Sequence, residues 1–304
     1  TFQQMLVRNR TPLAEAGLAI WTPDRTRAGL LAGLIHRPDT VTPEIARRAR
    51  RSAGLIGVER QKLAASGRRQ LLLSEENLLG AARANLRDGA LYPDAAARLR
   101  RIAEALGTVP SRVGLAIRGP CDYWASALAF SVGQGHRLPE PGELDRLARA
   151  RRRWRDVVAD VATAFPASQI VVWTHERFGG QPEAQLAMLT GGIEVASPLS
   201  GLRDWHNPGP RLPKLRRLLR LQGREGLAEA LPLGDGRWLP FDAGQEAALA
   251  ASWDADLDWL RRGADGLATF YDIPDPAPGR RGTEEGGPAG ADVRSAPGPE
   301  HGDR

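Results

Sequence analysis

The sequence predicts an α/β fold: a parallel β-sheet covered by helices on both faces. Three observations predict it. Short continuous apolar runs, in "RQLLLSEENLLG", "RVGLAI" and "QIVVW", alternate with segments of helical periodicity. A chain of 304 residues is long enough to bury a full core in one α/β domain or two small ones. No apolar run approaches the ~18 residues that a membrane span requires.

The elements follow in order. "TFQQMLVRNRTPLAEAG" reads as a helix already under way at residue 1. Its apolar positions are Phe2, Met5, Leu6 and Leu13, it stops at Gly17, and a bend or end is expected near Thr11 and Pro12. A basic, mostly polar helix starts near Thr42 and Pro43. "RQLLLSEENLLG" reads as a buried strand entering a loop, and "PDAAARLRRIAEALG" as a helix with a Pro-Asp start and a Gly stop. "RVGLAI" is a second strand, followed by the helix "PCDYWASALAFSVGQG". "ELDRLARARRRWRDVVADVATAF" reads as one long amphipathic helix, with Leu144, Leu147, Trp154, Val158, Val161 and Phe165 at helical spacing. "QIVVW" is a third strand, and helices are expected in "PEAQLAMLTG", "PRLPKLRRLLRLQG" and "DAGQEAALAASWDADLDWLRRG". From about Pro274 the chain is Pro, Gly and charge, too poor in apolar residues to offset ordering entropy, so a disordered tail is expected over 273–304.

The formal net charge of +6 is almost all arginine, since the lysines are Lys62 and Lys214. Acidic residues are nearly as numerous, so a mixed surface is expected rather than a nucleic-acid-binding face. The basic run at 149–155 alternates with an apolar stripe and reads as a solvated helix face. "PRLPKLRRLLRL" could meet an acidic substrate or a membrane surface, but its leucines read as packing onto the domain. The single cysteine, Cys121, cannot form an intrachain disulfide, which makes a reducing cytoplasm the expected compartment. The opening residues show no apolar secretory region. Asp254, Asp256 and Asp258 imitate a calcium loop, but Trp259 stands where that loop needs Gly, and the segment reads as helix.

"RGPCDYWAS" carries the candidate chemistry. Arg118 ends a buried strand, and ligands of α/β sheets bind beyond the carboxyl ends of the strands. Gly119 and Pro120 turn the chain into a helix that places Ser126 on the same face as Asp122. An arginine fork and a hydroxyl so placed can converge on one phosphate. The residues also allow a plainer reading, in which Arg118 pairs with Asp122 and Ser126 permits close helix packing.

The pattern R-x-P-x-D-x-x-x-S, filled by Arg118, Pro120, Asp122 and Ser126, resembles the 3′-phosphate-binding motif of the PAPS-dependent sulfotransferases, in their bacterial branch. "LLLSEENLL", "IVVWTHERFGG" and "SWDADLDWLRRG" are similar to other segments of that family, and the resemblance spans about residues 1–272. It implies a P-loop NTPase-like three-layer sandwich around a central parallel sheet. The activity it implies is transfer of a sulfuryl group from 3′-phosphoadenylyl sulfate (PAPS) to a hydroxyl or amine of a small molecule or glycan. No metal and no nucleic-acid partner is implied, and nothing in the chain indicates an oligomeric state. Arg118 and Ser126 would hold the 3′-phosphate. Glu76 would be the catalytic base, with Glu75 as the alternative; a carboxylate there is expected to have a raised pKa. On the residues alone, either carboxylate could instead cap the following segment. His36 and His136 are weaker candidates for the base.

The family's 5′-phosphosulfate loop, Lys-x-Gly-Thr/Ser-Thr/Ser, is not found in the sequence, and neither Lys62 nor Lys214 stands in its context. The first helix resembles the one that follows this loop. The expectation is a chain lacking the family's first strand and most of the loop, with Thr1 as the loop's last residue and a ligand of the donor. Two other classes remain open: a nucleotide-binding homologue without catalysis, and an Arg-rich protein that binds acidic polymers.

Overall fold

The computed structural model describes residues 2–204 and 209–272. Thr1 and the tail at 273–304 lie outside the described residues, and with them the expected loop remnant and the expected disorder. The chain from Thr1 to Pro274 forms one compact unit.

The fold is mixed helix and parallel sheet. Among the described residues there are five strands: β1 (Leu18–Trp21), β2 (Gln70–Leu73), β3 (Arg112–Ile117), β4 (Gln169–Thr174) and β5 (Thr269–Tyr271). β2, β3 and β4 are the three strands expected from the sequence. Among the described residues the strands pair in two small parallel sheets. β1 and β2 form a two-stranded parallel sheet, and β3, β4 and β5 form a separate three-stranded parallel sheet in that order.

The two sheets share their surroundings. Trp21, Leu71 and Leu73 of the first sheet join Leu115, Ile117, Ile170 and Val172 of the second in one main core. That core also holds Ile56 of the helix Pro43–Ala65, Ile102 of Ala95–Leu106, Trp124 of Pro120–Gly133 and Val158 of Trp154–Ala164. The alternate residues of the strands point the other way. Leu18, Ile20 and Leu72 pack with Leu186, and Val171 and Trp173 pack with Met188, so the helix Pro182–Thr190 lies against the same face of both sheets. Gln70 Nε2 donates to the Thr190 carbonyl at 3.2 Å, and Arg112 Nη1 donates to the Met188 carbonyl at 3.1 Å. Gly114 permits this close packing on the β3 side, because a Cβ there would stand 2.4 Å from Leu189 Cδ2 and 2.7 Å from the Trp173 ring.

Local rules explain most helix ends. Thr42 accepts a hydrogen bond from the Ile45 amide at 3.2 Å, and Pro43 occupies the first turn of its helix. The opening helix breaks at Asn9, between Phe2–Arg8 and Arg10–Glu15, rather than at Thr11 and Pro12. Buried Asn9 is drawn to Ser200, donating to its carbonyl at 3.0 Å and accepting from its amide at 2.9 Å.

The long helix expected over 143–165 is two helices, Pro141–Ala148 and Trp154–Ala164. Tertiary bonds explain the break. The Trp154 amide donates to buried Asp256 at 2.9 Å, and a local cap adds to this, the Arg153 amide donating to Asp156 at 2.7 Å. Arg152 reaches the Tyr92 carbonyl at 3.0 Å, and Arg155 Nε reaches Asp256 at 2.8 Å. Arg152 and Arg155 of the basic run are therefore internal ties. Asp256, in the "DADLD" segment, lies on the helix Ala243–Arg261 as their partner. No helix among the described residues is long and apolar enough to cross a membrane.

Candidate functional site

The carboxyl ends of β2, β3 and β4 carry the candidate residues, in two groups. The first surrounds Arg118. Its carbonyl accepts a hydrogen bond from Trp154 Nε1 at 2.7 Å, which fixes the end of β3. Its side chain is only 26% exposed, and Nε is buried without a hydrogen-bond partner among the described residues. The nearest carboxylate is Glu176, whose Oε1 stands 4.0 Å away. That oxygen already accepts the Gly119 amide at 2.9 Å. Asp122 does not neutralise Arg118 either, since it pairs with Arg237 at 2.6 Å. Burial, and next the neighbouring Arg237 charge, lower the Arg118 pKa, against the pull of Asp122 and Glu176. A guanidinium so placed remains charged and short of negative partners.

Ser126 is half-buried one helical turn beyond Asp122, on the helix Pro120–Gly133. Its hydroxyl has no hydrogen bond among the described residues, and a Cβ built on Gly209 would lie 3.5 Å from it. The plainer reading of the motif, an Arg118–Asp122 ion pair, is not what forms.

His175 and Glu176 follow β4 directly. Neighbouring protein, and next the Arg118 charge, hold the His175 imidazole below the ordinary value of 6.5, although the residue is exposed at the surface. Beside Glu176 lies a cavity of about 370 Å³, walled by Thr174, Arg177, Trp253, Leu257, Arg261 and Asp272. Its Trp253 ring stands 3.8 Å from the Cβ position of Gly119, so the cavity adjoins the strand–helix turn.

The second group surrounds Glu75 and Glu76, after β2. Glu75 is fully buried at its side chain. It accepts Thr26 Oγ1 at 2.6 Å, Arg27 Nη2 at 2.8 Å, Arg27 Nε at 3.2 Å and the Asn77 amide at 3.1 Å. Burial pushes its pKa up, but the bonds from Arg27, Thr26 and Asn77 outweigh it, and the pKa is lowered overall. The expected raised carboxyl is therefore not found at Glu75, because every lone pair that a proton would take already meets a donor. Glu76 is 56% exposed, pairs with Arg27, and accepts Gln3 Nε2 at 2.8 Å. Buried Arg98 donates to the Asn77 carbonyl at 2.9 Å, which holds this loop in place.

The structure thus keeps Arg118, Asp122 and Ser126 on one strand–helix unit, and places Glu75 and Glu76 at the end of β2, in the other sheet. His36 and His136 belong to neither group; their carbonyls accept Arg101 and Arg224, respectively. No cluster among the described residues has the His, Cys, Asp and Glu content to hold a metal ion. Glu176, His175, Arg237 and Trp253 were not legible as site residues. "THERF" after a buried strand was the only local signal, and Arg237 arrives from 115 positions away. A comparison with protein-family models, curated proteins and solved structures finds no match to this chain.

Proposed function

We propose that the chain carries most of a PAPS-dependent sulfuryl-transfer domain, in which Arg118 and Ser126 hold the donor's 3′-phosphate. The P-loop NTPase-like sandwich belongs to the same proposal. The observation that carries it is the buried, unpartnered Nε of Arg118 at a strand's carboxyl end, with the Ser126 hydroxyl open on the following helix. An anion there would satisfy both groups with charge-assisted bonds.

In the reaction, an acceptor oxygen or nitrogen attacks the sulfur of PAPS in line with the bond to be broken. The S–O bond to the 5′-phosphate cleaves, and its electron pair leaves on adenosine 3′,5′-bisphosphate. The acceptor's proton passes to a base. Glu76 is the carboxylate proposed for that role, since its side chain is 56% exposed and meets solvent beside its bonds to Arg27 and Gln3, whereas that of Glu75 is fully buried. The acceptor belongs to a small molecule or glycan. Thr1 would contribute to the donor loop.

The bonded state of Glu75, and the pairing of Glu76 with Arg27, favour a second reading: a homologue that binds the nucleotide without catalysis. The polymer-binding reading gains nothing from the run at 149–155, since Arg152 and Arg155 are internal ties.

Calorimetry with adenosine 3′,5′-bisphosphate tests the site. Arg118→Ala is expected to weaken binding by about 1.5–3 kcal/mol, roughly 10- to 160-fold. Equal affinity in variant and parent would overturn the assignment. Binding without release of the bisphosphate from PAPS, across hydroxyl and amine acceptors, would select the second reading.

A further inference from the structure

We propose that the ridge formed by the helix Leu212–Leu221 and the loop at 232–236 docks the protein on a bilayer surface that contains anionic lipids. This inference does not depend on the transfer reaction.

The helix separates its residues by face. Leu212, Leu215 and Leu219 are buried in the main core. Leu218 lies against Gly133 of the helix Pro120–Gly133, with Cδ1 3.6 Å from the Cβ position there. The opposite face is exposed at Pro213, Lys214, Arg217, Arg220 and Leu221. These positions recur at spacings of three and four and so form one strip. Residues 211–221 contain five cations and no acidic residue. Lys214, Arg217 and Arg220 make no side-chain hydrogen bond or ion pair among the described residues. Counting further to Arg237 adds Glu225, Glu229 and Asp235, and the stretch 211–237 still has seven cations against three acids.

The loop that follows the helix Glu225–Ala230 returns along this strip. The Leu212 amide donates to the Gly236 carbonyl at 2.9 Å. Arg216 holds the loop twice, reaching the Pro232 carbonyl and, at 2.8 Å, the Gly234 carbonyl. Arg216 stands one turn from both Pro213 and Arg220, so the loop borders the strip. The two carbonyls it holds flank Leu233. Gly234 has a φ of 113°, a region that favours glycine, and this turns the loop at its tip. The tied backbone presents Leu233 at 93% exposure, and Leu221 ends the helix at 74%. They are the two most exposed large apolar side chains among the described residues.

One exposed leucine on a surface is ordinary. Here the two extreme cases share a frame with three cations that no carboxylate neutralises, and that combination selects the partner. An anionic bilayer offers negative headgroups to the cations and, a few ångströms deeper, hydrocarbon to the leucines. An acidic polymer would meet the cations but give the leucines no apolar layer. The ridge also neighbours the candidate site. Arg211, ahead of the helix, bridges Arg237 through the backbone, and Arg237 pairs with Asp122 at 2.6 Å.

Flotation of the Thr1–Arg304 protein with vesicles of phosphatidylcholine and phosphatidylglycerol, against vesicles of phosphatidylcholine alone, tests this. Binding is expected to the mixed vesicles, falling steeply as salt is added. Leu221→Ser combined with Leu233→Ser should weaken it by about 10-fold or more. Lys214→Gln, Arg217→Gln and Arg220→Gln together should weaken it on the order of 100-fold. Both variants should keep the parent Tm, because every altered side chain is exposed. A control removes the same charge elsewhere: Arg47→Gln, Arg50→Gln and Arg51→Gln, on the exposed side of the helix Pro43–Ala65, should weaken binding roughly twofold at most. No binding to the mixed vesicles would overturn the proposal, as would equal losses from the two triple variants. Binding that survives the loss of both leucines and is displaced by an RNA oligonucleotide would assign the cations to acidic polymers and overturn the bilayer.

Discussion

Glu176 Oε1 stands 4.0 Å from Arg118 Nε, yet its hydrogen bond goes to the Gly119 amide, at 2.9 Å. The carboxylate fixes the turn and leaves the guanidinium unneutralised by direct contact. It also sets a negative charge beside any anion that Arg118 would hold.

Glu176→Gln keeps an acceptor for the Gly119 amide and removes that charge. Adenosine 3′,5′-bisphosphate should then bind several-fold more tightly, a modest gain because Glu176 is 39% exposed and screened by water. Titration calorimetry at low salt measures it. Weaker binding would show that the charge of Glu176 supports the site instead of opposing it.

Glu75 should give the fold an acid-sensitive component. Its pKa is lowered from the ordinary 4.5. The stabilisation it provides is therefore complete above that value and is lost as pH falls through the lower folded value. Glu75→Gln should cost about 1–3 kcal/mol at neutral pH, because a neutral amide cannot accept every donor from Thr26, Arg27 and Asn77. Urea unfolding from pH 7 down to pH 3 should show the parent and variant curves converging in acid. Parallel curves would remove Glu75 as the source.

Asp256→Ala should be among the more damaging single substitutions, at about 2–4 kcal/mol. The carboxylate is 1% exposed, accepts the Trp154 amide and pairs with Arg155. Its loss strands a helix N-terminus and a partly buried guanidinium together. A change under ~0.5 kcal/mol in denaturant unfolding would contradict the role given to Asp256 in breaking the helix at 149–153.

Gly114→Val should destabilise by about 1–3 kcal/mol through overpacking, since even a Cβ meets Leu189 at 2.4 Å and the Trp173 ring at 2.7 Å. Gly114→Ala should fall between parent and valine. Thermal unfolding of the three proteins gives the order, and an unchanged Tm for valine would mean that the helix Pro182–Thr190 yields freely.

What was legible in the sequence followed from local rules. Arg118, Pro120 and Ser126 are close in sequence, and a strand followed by Gly-Pro fixes their relation before any tertiary contact forms. β5 is three residues long, and β1 lies directly after the helix Arg10–Glu15, so neither stood out as a separate run. The long helix over 143–165 was misread because its apolar spacing continues across a break that distant Asp256 imposes. At Glu75, the alternative candidate after β2, the raised carboxyl is not found for a similar reason. Thr26 and Arg27, which lower the Glu75 pKa, lie 49 and 48 residues away, and only the parallel pairing of β1 with β2 brings them near.

The helix Pro182–Thr190 has a mechanical consequence. Between β2 and β3 the two halves of the β layer share no rung of backbone hydrogen bonds, and this helix is the spine against which both leaves rest. Gln70 and Arg112 are its stitches, one to each leaf. Cooperativity between the halves therefore runs through side-chain packing and not through a continuous ladder. The shared main core still holds the other face of both leaves, so loosening that helix would weaken their coupling on one side only.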